Sequence, residues 1–165
     1  SSDVCSSDLA WAIYGYTACF RETNDSIFLN FAKDIANMIM DRVKTEDAIP
    51  YWDYDAPVTK ETPRDVSAAS VTASAMIELS TMVPDGQKYL DYAEKILKSL
   101  SSDAYLAKVG DNQGFILMHS VGSLPNGSEI DTPLNYADYY YLEALKRFME
   151  LKKLKVENGE LRVIQ

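Results

Sequence analysis

Histidine and cysteine are nearly missing from this chain of 165 residues, and each scarcity closes a class of chemistry. His119 is the only histidine, so a multi-histidine metal centre cannot be built, and neither a metal nor a cofactor is expected. The two cysteines, Cys5 and Cys19, give no disulfide framework. Cys19 lies in an apolar helical run and reads as buried packing material. Lys and Arg number 16 against 25 acids, for a net charge of −9. That balance argues against a nucleic-acid or anionic-membrane surface, which needs clustered cations, but it leaves room for a small anion held by a few local ones. No apolar run reaches the roughly 20 residues of a membrane span.

What is present is a chain with 47% hydrophobic residues, enough for one globular core. Its opening, "SSDVCSSDL", carries no apolar period and no basic and apolar halves of a secretory signal. Ser1 to Leu9 reads as a non-native leader, a translated sequencing adapter joined to a truncated gene.

Five helices are expected. The first runs from Ala10 to about Arg21; with no charge from Ala10 to Phe20, it should be buried on every side. The second follows Asn24 or Asp25 and reaches about Val43, with Ile27, Phe28, Phe31, Ile35 and Ile39 as its apolar stripe. The third follows Asp65, its N-cap, and reads "VSAASVTASAMIELSTMV". Its small residues and single charge, Glu78, predict an enclosed helix. The fourth, introduced by Pro84 and Asp85, turns Tyr89, Tyr92, Ala93, Ile96, Leu97 and Leu100 inward. The fifth takes Thr132 as N-cap and Pro133 as its first residue. A charged tail over residues 152–165 contains "ENGE" as a turn and either forms a short hairpin or frays.

The connections alternate, short after the first and third helices and about twenty and thirty residues long after the second and fourth. In an antiparallel arrangement every second connection falls at one end. Both long loops should therefore open where the first, third and fifth helices begin, as a double ring of helices requires. Loops of that length in a helical domain point to function.

The first long loop interleaves Tyr51, Trp52, Tyr54 and Arg64 with Asp53, Asp55 and Asp65, a pattern that suits sugar rings; Trp52 and Tyr54 read equally as an aromatic plug. Arg64 is a candidate cation for an anionic ligand, or a partner of Asp65 or Glu61. The second loop carries "FILMH", an extended or helical plug, then His119, Ser120, Ser123 and turn chemistry at Pro125, Asn126 and Gly127. His119 has no identifiable catalytic partner. Trp11 stands at the loop end of the first helix, as core or as a ring facing a cavity. Tyr136, Tyr139 and Tyr140 read mostly as core.

The motifs "AWAIYGYT", "PYWDYDAP", "PRDVSAASVTASAMIEL" and "YADYYYLEAL", in this order and spacing, resemble the C-terminal part of the unsaturated glucuronyl hydrolases, glycoside hydrolase family 88. The resemblance covers residues 10–151. It implies an all-α fold, a partial (α/α)6 six-hairpin barrel of about five helices, in a cytoplasmic or periplasmic enzyme. The activity implied removes the 4,5-unsaturated uronic acid from the non-reducing end of lyase-generated glycosaminoglycan oligosaccharides. In it an aspartic acid protonates the C4–C5 double bond, water adds at C5 and the resulting hemiketal opens, unlike the usual two-carboxylate schemes.

In the family an Arg-Gly-Gln segment precedes the Ala-Trp pair, where this chain has Ser7, Asp8 and Leu9. The family's essential aspartates lie upstream of Ala10, so no catalytic residue is expected here and the role is not carried to Asp53 or Asp55. Trp11 matches the family's sugar-stacking tryptophan. Ser120 and Ser123 resemble a loop that contacts the second sugar and can meet its sulfate; Leu124 and Pro125 stand where some relatives add a lysine. The substrate-binding set is thus Trp11, Trp52, Arg64, Ser120 and Ser123. Two other readings are an unsaturated rhamnogalacturonyl hydrolase of the same barrel and a non-enzymatic helical-repeat module, though a repeat would show a regular period and short turns.

Overall fold

The computed structural model describes residues 5–157. It contains α1 (Ser6–Thr23), α2 (Ser26–Arg42), α3 (Val66–Ser80), α4 (Gln87–Leu100), β1 (Ser120–Ser123), β2 (Ser128–Thr132) and α5 (Asn135–Glu157). Helix α3 is the centre: α1 and α5 flank it, α4 lies behind it, and α2 lies on α1. Tyr89 of α4 donates to Asn37 of α2 at 3.2 Å, joining the outer pair. The result is an inner layer of α1, α3 and α5 backed by α2 and α4, an arc of the (α/α)6 barrel. No helix among the described residues is long and apolar enough to cross a membrane.

Residue size explains the centre. Ser67, Ala68, Ala69, Ser70, Ala73, Ser74 and Ala75 let three helices approach α3 closely, and all are buried. Between the layers, Ile13, Ile39, Met76, Ile77, Tyr89, Ile96 and Leu100 form one core. The short turn from α3 to α4 depends on Gly86, where a Cβ would collide with the Ser80 carbonyl oxygen.

Both long loops meet at the starts of α1, α3 and α5, as the alternation of loop lengths required. In the first, the Trp52 N–H donates to Pro63 O at 3.1 Å, the Asp65 N–H to Pro50 O at 2.9 Å, and the Ser6 N–H to Trp52 O at 3.0 Å. In the second, His119 O accepts from the Val66 N–H at 3.1 Å, and the Asp138 carboxylate accepts from the Ile116 and Leu117 N–H groups at 2.8 and 2.9 Å. Asp65 holds the junction. Its carboxylate accepts from Ser6 Oγ at 3.1 Å, Ser67 N and Oγ at 3.0 and 2.6 Å, Ala68 N at 3.3 Å and Val121 N at 3.4 Å. The expected cap is there, and it serves three elements.

Several expectations are corrected. Helix α1 begins at Ser6 rather than Ala10, because Ser6 bonds to Asp65 and Asp8 places an acid in the first turn. It is not buried on every side: Trp11, Gly15 and Cys19, four residues apart, form an exposed stripe, so absence of charge did not mean enclosure. Cys19 is accordingly exposed. On α2 the buried face is Ala32, Ala36 and Ile39. Ile27 and Phe31 stay about half exposed, and Phe28 and Phe31 stack on Tyr16 at 6.3 and 5.2 Å between ring centres. Small alanines let α2 sit close to α1 and leave larger side chains at the edge.

Thr132 ends β2, paired with Ser120, instead of capping α5, which starts three residues later. The hairpin itself was not foreseen, since β2 is exposed and shows no apolar alternation; its turn at Pro125, Asn126 and Gly127 was, with Gly127 at φ +65°. Helix α5 continues into the expected tail as far as Glu157. The rest of that tail, like Ser1 to Val4 of the expected leader, lies outside the described residues.

Replacing Asp65 by alanine strands buried donors from α1, α3 and β1. We expect a loss of about 3 kcal/mol or more in urea unfolding, beyond the roughly 1 kcal/mol of an ordinary N-cap, with a smaller loss for Asp65→Asn.

Candidate functional site

The inner layer presents four levels, because residues three and four apart share a helix face. At the loop end stand Trp11 of α1, Ser67 of α3 and Tyr136 of α5; the Trp11 indole is 40% exposed. Tyr140 meets it edge-on at 5.0 Å, and Tyr14 and Tyr136 each lie 6.3 Å away. The second level is Tyr14, Val71 and Tyr140, with Tyr14 and Tyr140 5.0 Å apart. Of the three tyrosines read mostly as core, Tyr139 is 60% exposed beside Tyr140.

Below the rings the wall turns polar. Glu143 accepts from Tyr14 Oη at 3.1 Å and from Ser74 Oγ at 2.5 Å, and lies 3.5 Å from Arg147. At the base, Glu78 sits between Arg21 at 2.5 Å and Arg147 at 2.8 Å. Burial, then the Glu143 carboxylate, push the Tyr14 phenol up to about 12. Burial also raises Tyr136 and Tyr140, so all three stay neutral hydrogen-bonding hydroxyls at physiological pH. The face therefore offers an aromatic platform with fixed polar groups beneath, an arrangement that holds an apolar ring face and its hydroxyls.

No carboxyl described on this face is free to give a proton. Glu78 and Glu143 are held by guanidiniums and hydroxyls, and Asp65 is enclosed by its donors. Burial holds the Asp65 carboxyl above its usual range, although those hydrogen bonds pull the other way. His119 does have a partner, Asp131, at 2.5 Å, but the pair lies exposed on the hairpin. Among the described residues no group of three or more His, Cys, Asp or Glu could hold a metal.

The five candidate binding residues separate. Trp11 lies on the inner face. Ser120 is wholly buried, with no hydrogen-bond partner for its hydroxyl among the described residues, so as the strand stands it is not presented to a ligand. Ser123 is half-buried and accepts from Asn126 at 2.8 Å. Trp52 is half-buried, with its backbone fixed between Ser6 and Pro63. Arg64 pairs with neither expected acid. It lies 3.3 Å from Asp47, donates to the Ile49 carbonyl, and stacks 4.5 Å over Tyr51. It lines a cavity of about 440 Å³ that the other four do not reach.

Missed from the sequence were Tyr14, Ser74, Glu143, Arg147 and Arg21. A signal existed, since a single glutamate in the otherwise neutral, buried α3 requires cations from its neighbours.

The family model described as glycosyl hydrolase family 47 matches residues 9–153. An unsaturated glucuronyl hydrolase of Formosa agariphila is 46% identical over 143 residues, covering 86% of this chain and 36% of that protein. The crystal structure of an unsaturated glucuronyl hydrolase specific for heparin superposes with a TM-score of 0.89 at 56% identity, over 92% of this chain and 41% of that one. The chain belongs to the glycosyl hydrolase family which that model describes, and over most of its length it is similar to part of unsaturated glucuronyl hydrolases.

The matching family is 47, where the motifs led to an expectation of 88; the relatives at 46% and 56% identity are named unsaturated glucuronyl hydrolases. A variant enzyme of this family from Streptococcus agalactiae, complexed with dGlcA-GalNAc6S, gives a TM-score of 0.82 at 29% identity over 89% of this chain and 40% of its own. The chain spans little more than a third of the length of the curated relatives it matches.

Asp47 ties the two long loops, accepting from Tyr105 Oη at 2.5 Å while paired with Arg64. Burial acts to raise its carboxyl, but the bonds from Tyr105 and the Ile49 N–H, with the Arg64 charge, outweigh this and hold it below the usual range. Its stabilising effect is thus complete above the unfolded value of about 4 and lost as pH falls through the lower folded value. Thermal unfolding followed from pH 6 to pH 2 should show a loss of stability that Asp47→Asn reduces.

Proposed function

We propose that this chain forms one wall of the substrate cleft of an enzyme that removes the 4,5-unsaturated uronic acid from the non-reducing end of glycosaminoglycan oligosaccharides released by lyases. The observation that carries the reading is the part-exposed Trp11 indole, fixed edge-on by Tyr140, in a chain 46% identical to an unsaturated glucuronyl hydrolase. Trp11 takes the apolar face of a sugar ring, and Ser123 at the loop end serves a second sugar. The complexed Streptococcus agalactiae structure supports such an acidic disaccharide as ligand class.

The chemistry of this reading is hydration of a vinyl ether. A carboxylic acid protonates C4, water adds at C5, and the hemiketal opens to release the remaining saccharide. The carboxylates described on this wall are already occupied by donors, so the wall positions the sugar and the acid comes from another part of the protein. A neutral platform fits that positioning role, because the planar unsaturated uronate can lie against it while neutral hydroxyls leave the anion unopposed.

The test is a chimera in which residues 9–153 replace the matching segment of the Formosa agariphila enzyme. Loss of the ultraviolet absorbance of unsaturated chondroitin or heparin disaccharides is expected from the chimera and not from this chain alone. Trp11→Ala in the chimera should raise KM about tenfold or more, in line with the ~1–3 kcal/mol of an aromatic stacking contact. A folded chimera with no turnover on either disaccharide overturns the proposal.

A further inference from the structure

The arc of helices has two open sides, and each carries an exposed apolar stripe. On α2 the exposed positions include Ile27, Phe31, Asp34, Met38 and Asp41, in alternating steps of four and three. On α5 they include Tyr139, Leu142, Lys146, Met149 and Lys153, in steps of three and four. That spacing keeps each set on one face of its helix, the pattern by which two helices pack side by side. Both faces point away from the chain's own core, since the buried sides are Ala32, Ala36 and Ile39 on α2 and Ala137, Tyr141 and Ala144 on α5. The six large apolar side chains of the two stripes are between 41 and 60% exposed. Neither stripe holds a residue of the four levels of the inner face.

The charges differ in sign between the two edges. The α2 stripe has two acids, Asp34 and Asp41, and the α5 stripe has two lysines, Lys146 and Lys153. No ion pair among the described residues engages Asp34, Asp41 or Lys153. Lys146 lies 4.0 Å from Glu150 on its own helix, an exposed contact worth little. Two α2 stripes laid together would bring Asp34 against Asp34, and two α5 stripes Lys146 against Lys146; like charges so placed reject the pairing. Laid on each other in either direction, the α2 and α5 stripes put Asp34 opposite Lys146, since each is the middle member of its five. Phe31 and Met38 then meet Leu142 and Met149. Only unlike edges match.

We propose that the α2 edge of one copy of this chain docks on the α5 edge of a second copy, head to tail, with Asp34 and Lys146 paired at the centre of the contact. Such a contact is heterologous, so a docked pair keeps one free edge of each kind, and the assembly closes into a ring or grows as an open chain. A single pair of helix edges lies at the small end of interface sizes, so the association is reversible and depends on concentration. It uses no residue of the inner face and does not rest on the saccharide reading.

Sedimentation equilibrium of the chain over the micromolar range tests this. The average mass should rise with concentration above the 18.5 kDa of the monomer. Asp34→Lys and Lys146→Glu, both at exposed positions, should each weaken association about tenfold or more. Mixed, these two variants should form a one-to-one pair, because the reversed charge on α2 of one meets the reversed charge on α5 of the other; that rescue also shows both to be folded. The double variant should associate as the unaltered chain does, and Trp11→Ala should change nothing.

A chain that stays monomeric throughout overturns the proposal, as does association that both charge reversals leave unchanged, or variants that fail to pair when mixed. So does a monomer that instead binds the part of the Formosa agariphila enzyme outside the matched segment, which would make a barrel segment the occupant of these edges.

Discussion

The end of the barrel where the loops gather depends on one buried carboxylate. Asp65 caps α3, takes the Ser6 hydroxyl from α1 and the Val121 N–H from β1, and so joins an inner helix to its neighbour and to the second long loop. Removing a charge of this kind from water is costly, and only a full set of donors makes it tolerable. The requirement acts in both directions. The carboxylate fixes where α1 and the hairpin sit, and they must be there for it to remain buried.

From that anchored end the inner face changes character with depth, from aromatic to hydroxyl and carboxylate to ion pairs. The gradient follows from helix periodicity acting on three parallel stripes: Trp11, Tyr14 and Arg21; Ser67, Val71, Ser74 and Glu78; Tyr136, Tyr140, Glu143 and Arg147. Edge-to-face ring contacts fix the upper level without covering it, so the indole keeps an open face. The ionic base fixes the helices without exposing an unpaired charge to the cleft. Aromatic surface and ionic scaffold are thus separated by height along the same helices.

Helix identity and order were legible because the caps and periodicities are strong: Asp25 and Asp65 cap where expected, and α3 is enclosed as its small residues require. The shared loop end was legible from loop lengths alone. The uncharged stretch of α1 misled, since Trp11, Gly15 and Cys19 line an open edge that hydropathy cannot tell from a buried one. The hairpin escaped because its second strand is exposed and carries a single apolar residue, Ile130. In the cleft, Trp11 could be named from its motif, whereas the Tyr14, Ser74 and Glu143 bonds join residues up to 129 positions apart, a pairing no local pattern encodes.

Glu78 draws guanidiniums from two different helices, Arg21 of α1 and Arg147 of α5, onto one carboxylate of α3. With one helix docked, the part-buried carboxylate meets one guanidinium; with both, its loss of water is more fully matched. Docking of either helix therefore favours docking of the other. The two flanks of the central helix are coupled in assembly, and this part of the arc forms as a cooperative unit rather than helix by helix.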